Sequence, residues 1–180
     1  EAIQSYSLAL RIQPNNAVAY SNLGNILNML CLHPEAEAHC RQAIALKPDM
    51  ANAYNNLGSA LHTQGKFAQA QSSYRLALRL KPDWAEAYNN LAITLKDQGY
   101  WSDAETCYRK ALEKQPDWAV AHGNLPYCLS HDVTIEPPQL FAAHVAFGEP
   151  FESPTRDRLH AAHKRKTPQT SLTAGSFPSP

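Results

Sequence analysis

Small and apolar residues recur along this chain at helical spacing, and the whole pattern repeats every 34 residues. The stretch Ala51–Trp84, ANAYNNLGSALHTQGKFAQAQSSYRLALRLKPDW, falls in phase with Ala85–Trp118 one period later and with Ala17–Met50 one period earlier. Tyr20, Tyr54 and Tyr88 hold the fourth position of the unit, and Leu23, Leu57 and Leu91 the seventh. Small residues hold the eighth (Gly24, Gly58, Ala92), the twentieth (Ala36, Ala70, Ala104) and the twenty-seventh (Ala43, Ala77, Ala111). Proline holds the thirty-second (Pro48, Pro82, Pro116). Spacings of three and four predict two amphipathic helices per unit, A and B. The small residues at the eighth and twentieth positions let the two approach closely, while Tyr and Leu fill the space between them. Gly65 and Gly99 stand where helix A must stop and turn, because glycine accepts left-handed backbone angles cheaply. Proline ends helix B by removing an amide hydrogen and restricting the residue before it. One such unit cannot bury its apolar face alone, so the units are expected to stack as an array.

These recurring residues resemble the tetratricopeptide repeat, and many positions agree in phase across three full units. The resemblance implies an all-α fold, a right-handed α-α superhelix whose helices A line a concave inner surface. Residues 1–131 are read as the array. Within it, 1–16 is a half repeat, with Ala2, Tyr6, Ala9 and Pro14 in phase, and 17–50, 51–84 and 85–118 are full repeats. Ala17–Met50 is the least regular, with Cys31 in place of the turn glycine and Pro34 at the start of its helix B. A final helix A follows at 119–131, with His122 in place of the tyrosine. Pro126 there stands in place of the small residue and is expected to kink or distort the helix. Trp84 and Trp118 close their repeats and are expected to pack in the seams between units.

The periodicity ends after residue 131. Residues 132–151 form a junction with one amphipathic helix, marked by Leu140, Phe141, His144, Val145 and Phe147. Residues 152–180 carry five basic and two acidic residues, four prolines and many Ser and Thr without apolar spacing. They are expected to form a disordered C-terminal tail. The short run His163–Lys166 reads as a solvated basic stretch. The chain starts at Glu1 in mid-repeat and without Met, so it is read as a piece of a longer protein.

Composition narrows the classes of function. Lys plus Arg and Asp plus Glu are 16 each, so no global charge argues for nucleic acid or a membrane surface. No apolar run approaches the length of a membrane span. Cys31, Cys40, Cys107 and Cys128 form no CxxC pair and read as buried reduced thiols, which suits the cytoplasm. His33 and His39 lie six apart beside Cys40, a poor spacing for a shared metal on one helix face. His131, Asp132 and His144 come with no nucleophile or pocket that the sequence defines. No catalytic, cofactor-binding or metal-binding residue is assigned, and this chain alone is not expected to be an enzyme.

The candidate binding residues are asparagines. The sixth position reads Asn22, Asn56, Asn90 and Asn124, the fifth adds Asn55 and Asn89, and the ninth adds Asn25. Asn is a mediocre helix former, so a column of one amide per unit is not a matter of local propensity. Each amide offers a donor and an acceptor. A spaced column on the concave face can therefore hold the backbone of proteins bound as extended polypeptide segments. The competing reading has the same amides bond the neighbouring repeat and fix the stacking, and one residue can do both. Glu86, Lys96 and Asp97 are the charged residues expected along the groove. Tetratricopeptide co-chaperones grip a C-terminal carboxylate with a Lys and Arg clamp, but Ser21, Asn55 and Asn89 stand where cations would be needed.

Repeats of the form AYNNLG…KPD with an Asn column resemble those of the O-linked N-acetylglucosamine transferase family, including its Spindly-like members. The segment Asn124–Phe151 is similar to the stretch by which that family leaves its repeats, through Leu129–Asp132, Leu140, Phe141, His144 and Phe147–Phe151. The resemblance covers Glu1–Phe151. It implies a parent enzyme that moves a sugar from UDP-N-acetylglucosamine to Ser or Thr of proteins, with the array presenting the polypeptide. No nucleotide-sugar site is legible within these residues, so no cofactor is expected in this chain. A stand-alone adaptor with no enzymatic activity is the alternative. Exposed array ends invite self-association in either case.

Overall fold

The computed structural model describes residues 2–131, together with Pro138 and Val145. The expected junction at 132–151, with its helix, and the tail at 152–180 otherwise lie outside the described residues. Eight helices and no strand occur among the described residues. They are α1 (Ala2–Ile12), α2 (Ala17–Met29), α3 (His33–Leu46), α4 (Ala51–Thr63), α5 (Phe67–Leu80), α6 (Ala85–Asp97), α7 (Trp101–Lys114) and α8 (Ala119–His131). Helices α2, α4, α6 and α8 are therefore A helices, and α1, α3, α5 and α7 are B helices.

The punctuation is chemical. Gly65 and Gly99 adopt φ of 73° and 80°. Each closes its A helix with a paired bond: Gly65 N–H donates to His62 O and Lys66 N–H to Leu61 O, both at 2.9 Å, and Gly99 and Tyr100 repeat the pair. Cys31 takes the same left-handed turn with φ 60°, a conformation that a Cβ disfavours. That turn position leaves its thiol exposed, contrary to the expectation that all four cysteines are buried. Helix B ends where Lys47, Lys81 and Gln115 make the last bonds back to Ala43, Ala77 and Ala111, each followed by its proline. Asn16 caps α2 by accepting from Ala19 N–H at 3.0 Å.

Close approach of A to B explains the small residues. Ala36, Ala70, Ala104, Ala43, Ala77 and Ala111 are all fully buried. Gly24 faces Cys40, and Gly58 faces the ring of Tyr74 so closely that an added Cβ would lie 2.6 Å from it. The third repeat has Ala92 at the position of Gly58 and still buries Tyr108 completely. Tyr74 and Tyr108 are not equivalent at their hydroxyls. Tyr74 OH is hydrogen-bonded by Ser59, whereas Tyr108 OH is buried without a partner, because Ile93 replaces that serine one period later. Trp84 packs on the edge of the core that α3 to α8 share, with Lys81 Nζ 4.7 Å above its ring. Helix α8 stays helical through Pro126, which is buried and has no N–H to donate to the His122 carbonyl.

Sequential helices make the main contacts, and A helices also meet across repeats, α2 with α4 and α4 with α6. The B helices are splayed apart. This asymmetry puts the A helices inside the curve and opens clefts between B helices on the outer face.

Candidate functional site

The asparagine column runs along the A helices, and the structure separates its members by depth. Asn22 and Asn25 are exposed, Asn56, Asn90 and Asn124 are half-buried, and Asn55 and Asn89 are buried at 5% and 4% exposure. Two of the half-buried amides, Asn56 and Asn90, bridge repeats. Asn56 Nδ2 donates to the Ser21 carbonyl at 3.1 Å and to its hydroxyl at 3.4 Å. Asn90 Nδ2 donates to Asn55 Oδ1 at 3.2 Å. In both seams the sixth-position amide of one repeat reaches the fifth-position residue of the repeat before it. Asn22 makes the corresponding reach into the half repeat, donating to Tyr6 OH at 3.2 Å. The series breaks at the last seam, where Asn89 Oδ1 is buried with no partner and Asn124 does not reach it.

Stacking therefore uses only part of each of these side chains. One N–H of Asn56 or Asn90 is committed to the neighbouring repeat, and an amide has a second N–H and a carbonyl oxygen left to offer. Asn55 and Asn89 lie beneath this layer, and Asn55 acts on the groove through Asn90. Asn25 stands open to solvent on the same helix as Asn22. Asn28, a residue the sequence reading passed over, ties α2 to α4 by donating to the Asn56 carbonyl at 2.8 Å.

The charged groups expected along the groove, Glu86, Lys96 and Asp97, all lie on α6. Asp97 Oδ2 meets His62 Nε2 at 2.9 Å across a seam, and Lys96 Nζ lies 3.5 Å from Asp97 Oδ1. Lys96 Nζ also sits 5.4 Å from the centroid of the Tyr127 ring. Both charges are thus engaged locally, and the imidazole partner could be found only from its period-34 offset to Lys96. Glu86 is exposed.

The outer face carries two clefts one period apart. The first, about 600 Å³, lies between α3 and α5 over Tyr54, Leu57 and Leu61 of α4. The second, about 510 Å³, lies between α5 and α7 over Tyr88, Leu91 and Leu95 of α6. In the first, Arg41 is held by Glu37 at 2.8 Å. That carboxylate also receives Lys66 and Gln64 from the turn between α4 and α5, at 2.8 and 2.9 Å. Lys66 above all holds the Glu37 carboxyl down to about 2, with burial pushing the other way. In the second cleft, burial raises the Cys107 thiol to about 11, so it is a neutral part of the wall. Burial likewise lifts Cys40 to about 12 and Cys128 to about 11, which makes them inert at neutral pH. Among the described residues no group of His, Cys, Asp and Glu is arranged to hold a metal, and no helix is long and apolar enough to cross a membrane.

A family model of the tetratricopeptide repeat matches residues 15–83 and again 49–117. No curated protein sequence matches the chain. Among solved structures the fold is similar to that of MamA, with a TM-score of 0.78 and 21% identity over 86% of this chain and 89% of that one. It is similar to YrrB, described as a TPR protein with an unusual peptide-binding site, with a TM-score of 0.72 and 19% identity over 82% of this chain and 75% of that one. A mutant of the Thermobaculum terrenum O-GlcNAc transferase aligns with a TM-score of 0.66 and 22% identity, over 75% of this chain and 27% of the enzyme. At these identities the likeness is one of fold.

Proposed function

The chain belongs to the tetratricopeptide repeat family, and from that membership we propose that its concave face holds extended polypeptide through the asparagine column. The observation that carries this reading is the spacing of the half-buried amides. Asn56 and Asn90 are pinned to the preceding repeats by one donor each, which fixes their orientation before any ligand arrives. A preorganised amide loses little entropy on binding, and it recognises peptide groups without reading side chains. Asn22 and Asn25 extend the same surface toward α1.

The finer reading is that this array is the substrate-presenting arm of a protein O-GlcNAc transferase, which would take its sugar from UDP-N-acetylglucosamine. Its support is the resemblance of Asn124–Phe151 to the junction of that family, added to the repeat form itself. A stand-alone scaffold is the second reading. It is favoured by the alignment with MamA, in which the array accounts for 89% of the matched chain rather than 27%.

Two assays separate these readings. Fluorescence anisotropy with a neutral Ser- and Thr-containing peptide should give saturable binding, weakened about fivefold or more by Asn22→Ala with Asn25→Ala at unchanged helicity. Equal affinity in that variant, whose replaced residues are both exposed, would remove the groove assignment. The full-length native protein, incubated with UDP-N-acetylglucosamine and the same peptide, should glycosylate it if the array serves a transferase. Peptide binding without transfer would leave the scaffold reading.

A further inference from the structure

The cleft between α5 and α7 combines an apolar floor with unpaired positive charge. Its walls carry Arg75 and Arg79 on α5 and Lys110 on α7, against one carboxylate, Asp103. Neither arginine has an ion-pair partner among the described residues, and Lys110 meets only the face of Tyr88, at 5.7 Å. The other cations on these helices are engaged: Arg109 with Glu105 at 2.7 Å, and Lys114 with Asp83. The preceding cleft is an internal control. It has a similar volume and the same Tyr–Leu–Leu floor, but its arginine is paired with Glu37, and Ala45 and Leu76 stand where Arg79 and Lys110 stand one period later. The repeat architecture alone therefore makes the cleft, and these substitutions make it cationic.

We propose that the α5–α7 cleft is a second binding site, on the outer face of the array, for an acidic peptide segment of a partner protein that inserts an aromatic or aliphatic side chain. The floor formed by Tyr88, Leu91 and Leu95 desolvates that side chain. Arg75, Arg79 and Lys110 ring it and meet flanking carboxylates. Arginine suits this task because its planar fork takes a carboxylate in two parallel bonds. The chain's own 152–180 stretch is not the occupant, since its five basic against two acidic residues give it the wrong sign. The site is on the opposite face from the amide column and does not depend on it, so each can be lost without the other.

The test uses a fluorescein-labelled peptide of glutamates around one central phenylalanine, titrated into the full chain. Saturable binding is expected, lost about tenfold or more in the Arg75→Glu, Lys110→Glu variant. It should also weaken between about 50 and 300 mM salt and on replacing the phenylalanine by glycine. Lys47→Glu, an exposed charge outside the cleft, should leave it unchanged. Both cleft residues are exposed, so circular dichroism should report a folded variant. No binding, or equal loss with Lys47→Glu, overturns the proposal. So does equally tight binding of a single-stranded oligonucleotide through the same cations, which would make the cleft a generic anion patch.

Discussion

Replacing Asn90 by Ala tests whether the column fixes the stacking of repeats. The Asn90 amide donates to Asn55 Oδ1 at 3.2 Å, and Asn55 is only 5% exposed. Truncation removes a bond with a net value of about 1 kcal/mol and leaves a buried acceptor unsatisfied, a penalty of about 1–3 kcal/mol in total. Against this, Ala is the better helix former by about 0.7 kcal/mol at most. The loss wins, and a net destabilisation of about 1–2 kcal/mol is expected. Asn124→Ala is the matched control. Its would-be acceptor, Asn89 Oδ1, already has no partner, so only the propensity gain of about 0.5 kcal/mol remains. The double variant Asn55→Ala with Asn90→Ala should lose less than the sum of the singles, by about 1 kcal/mol, because both ends of the bond leave together. Urea unfolding followed by circular dichroism reads the midpoint, and an unchanged slope shows that the unfolded state is comparable. Repeat arrays unfold seam by seam, so hydrogen exchange in α4 and α6 should locate the weakening between those helices. A neutral Asn90→Ala, or equal losses at Asn90 and Asn124, would refute the stacking role.

Three further outcomes follow from local chemistry. Tyr108→Phe should be neutral or stabilising by up to about 1 kcal/mol, because it deletes a buried hydroxyl with no partner. Tyr74→Phe should destabilise by about 1 kcal/mol through loss of the Ser59 bond, and thermal midpoints moving the same way in both would count against the assignment. Gly65→Ala meets no atom within 4 Å and suffers only the left-handed backbone, about 1 kcal/mol, whereas Cys31→Gly should relieve that strain; equal urea midpoints for both would contradict it. Glu37 has its carboxyl lowered from 4.5 to about 2, so its contribution is complete above pH 4.5 and is lost as pH falls toward 2. Its cations reach it from solvent, so the amount is on the order of 1 kcal/mol and shrinks with salt. Glu37→Gln should flatten the stability profile across that window, and an unaltered acid limb would show that the carboxylate is not engaged.

Much of the fold was legible because each period-34 position has one mechanical job. Gly65 and Gly99 announced their turns by residue type, and the alanines announced the A–B approach. Cys31 was recognisable as the odd turn residue, but its exposure follows from backbone geometry that its hydrophobic character conceals. A column of identical asparagines fixes the face but not the partner. Period alone does not tell that the sixth position reaches back to the fifth position of the previous repeat, nor that the last seam fails to close. The candidate face was thus legible as a stripe, and the structure divides it into amides that are open, pinned and buried. The outer cleft was harder to see. Arg75 and Arg79 lie one turn apart on α5 but Lys110 is 31 residues beyond Arg79, and all three look like ordinary surface charges until the splayed B helices place them around one apolar floor. The absence of a neutralising Glu37 equivalent is likewise visible only once partners are known.

The central claim is that the concave amides meet polypeptide. The direct measurement is a titration of the ¹⁵N-labelled chain with a neutral extended peptide, following the side-chain amide resonances. The account predicts that the side-chain amides of Asn22, Asn25, Asn56 and Asn90 shift together while the backbone amides of Arg75 and Lys110 on the outer face stay still. Peptide binding that leaves those four amides unmoved would contradict it.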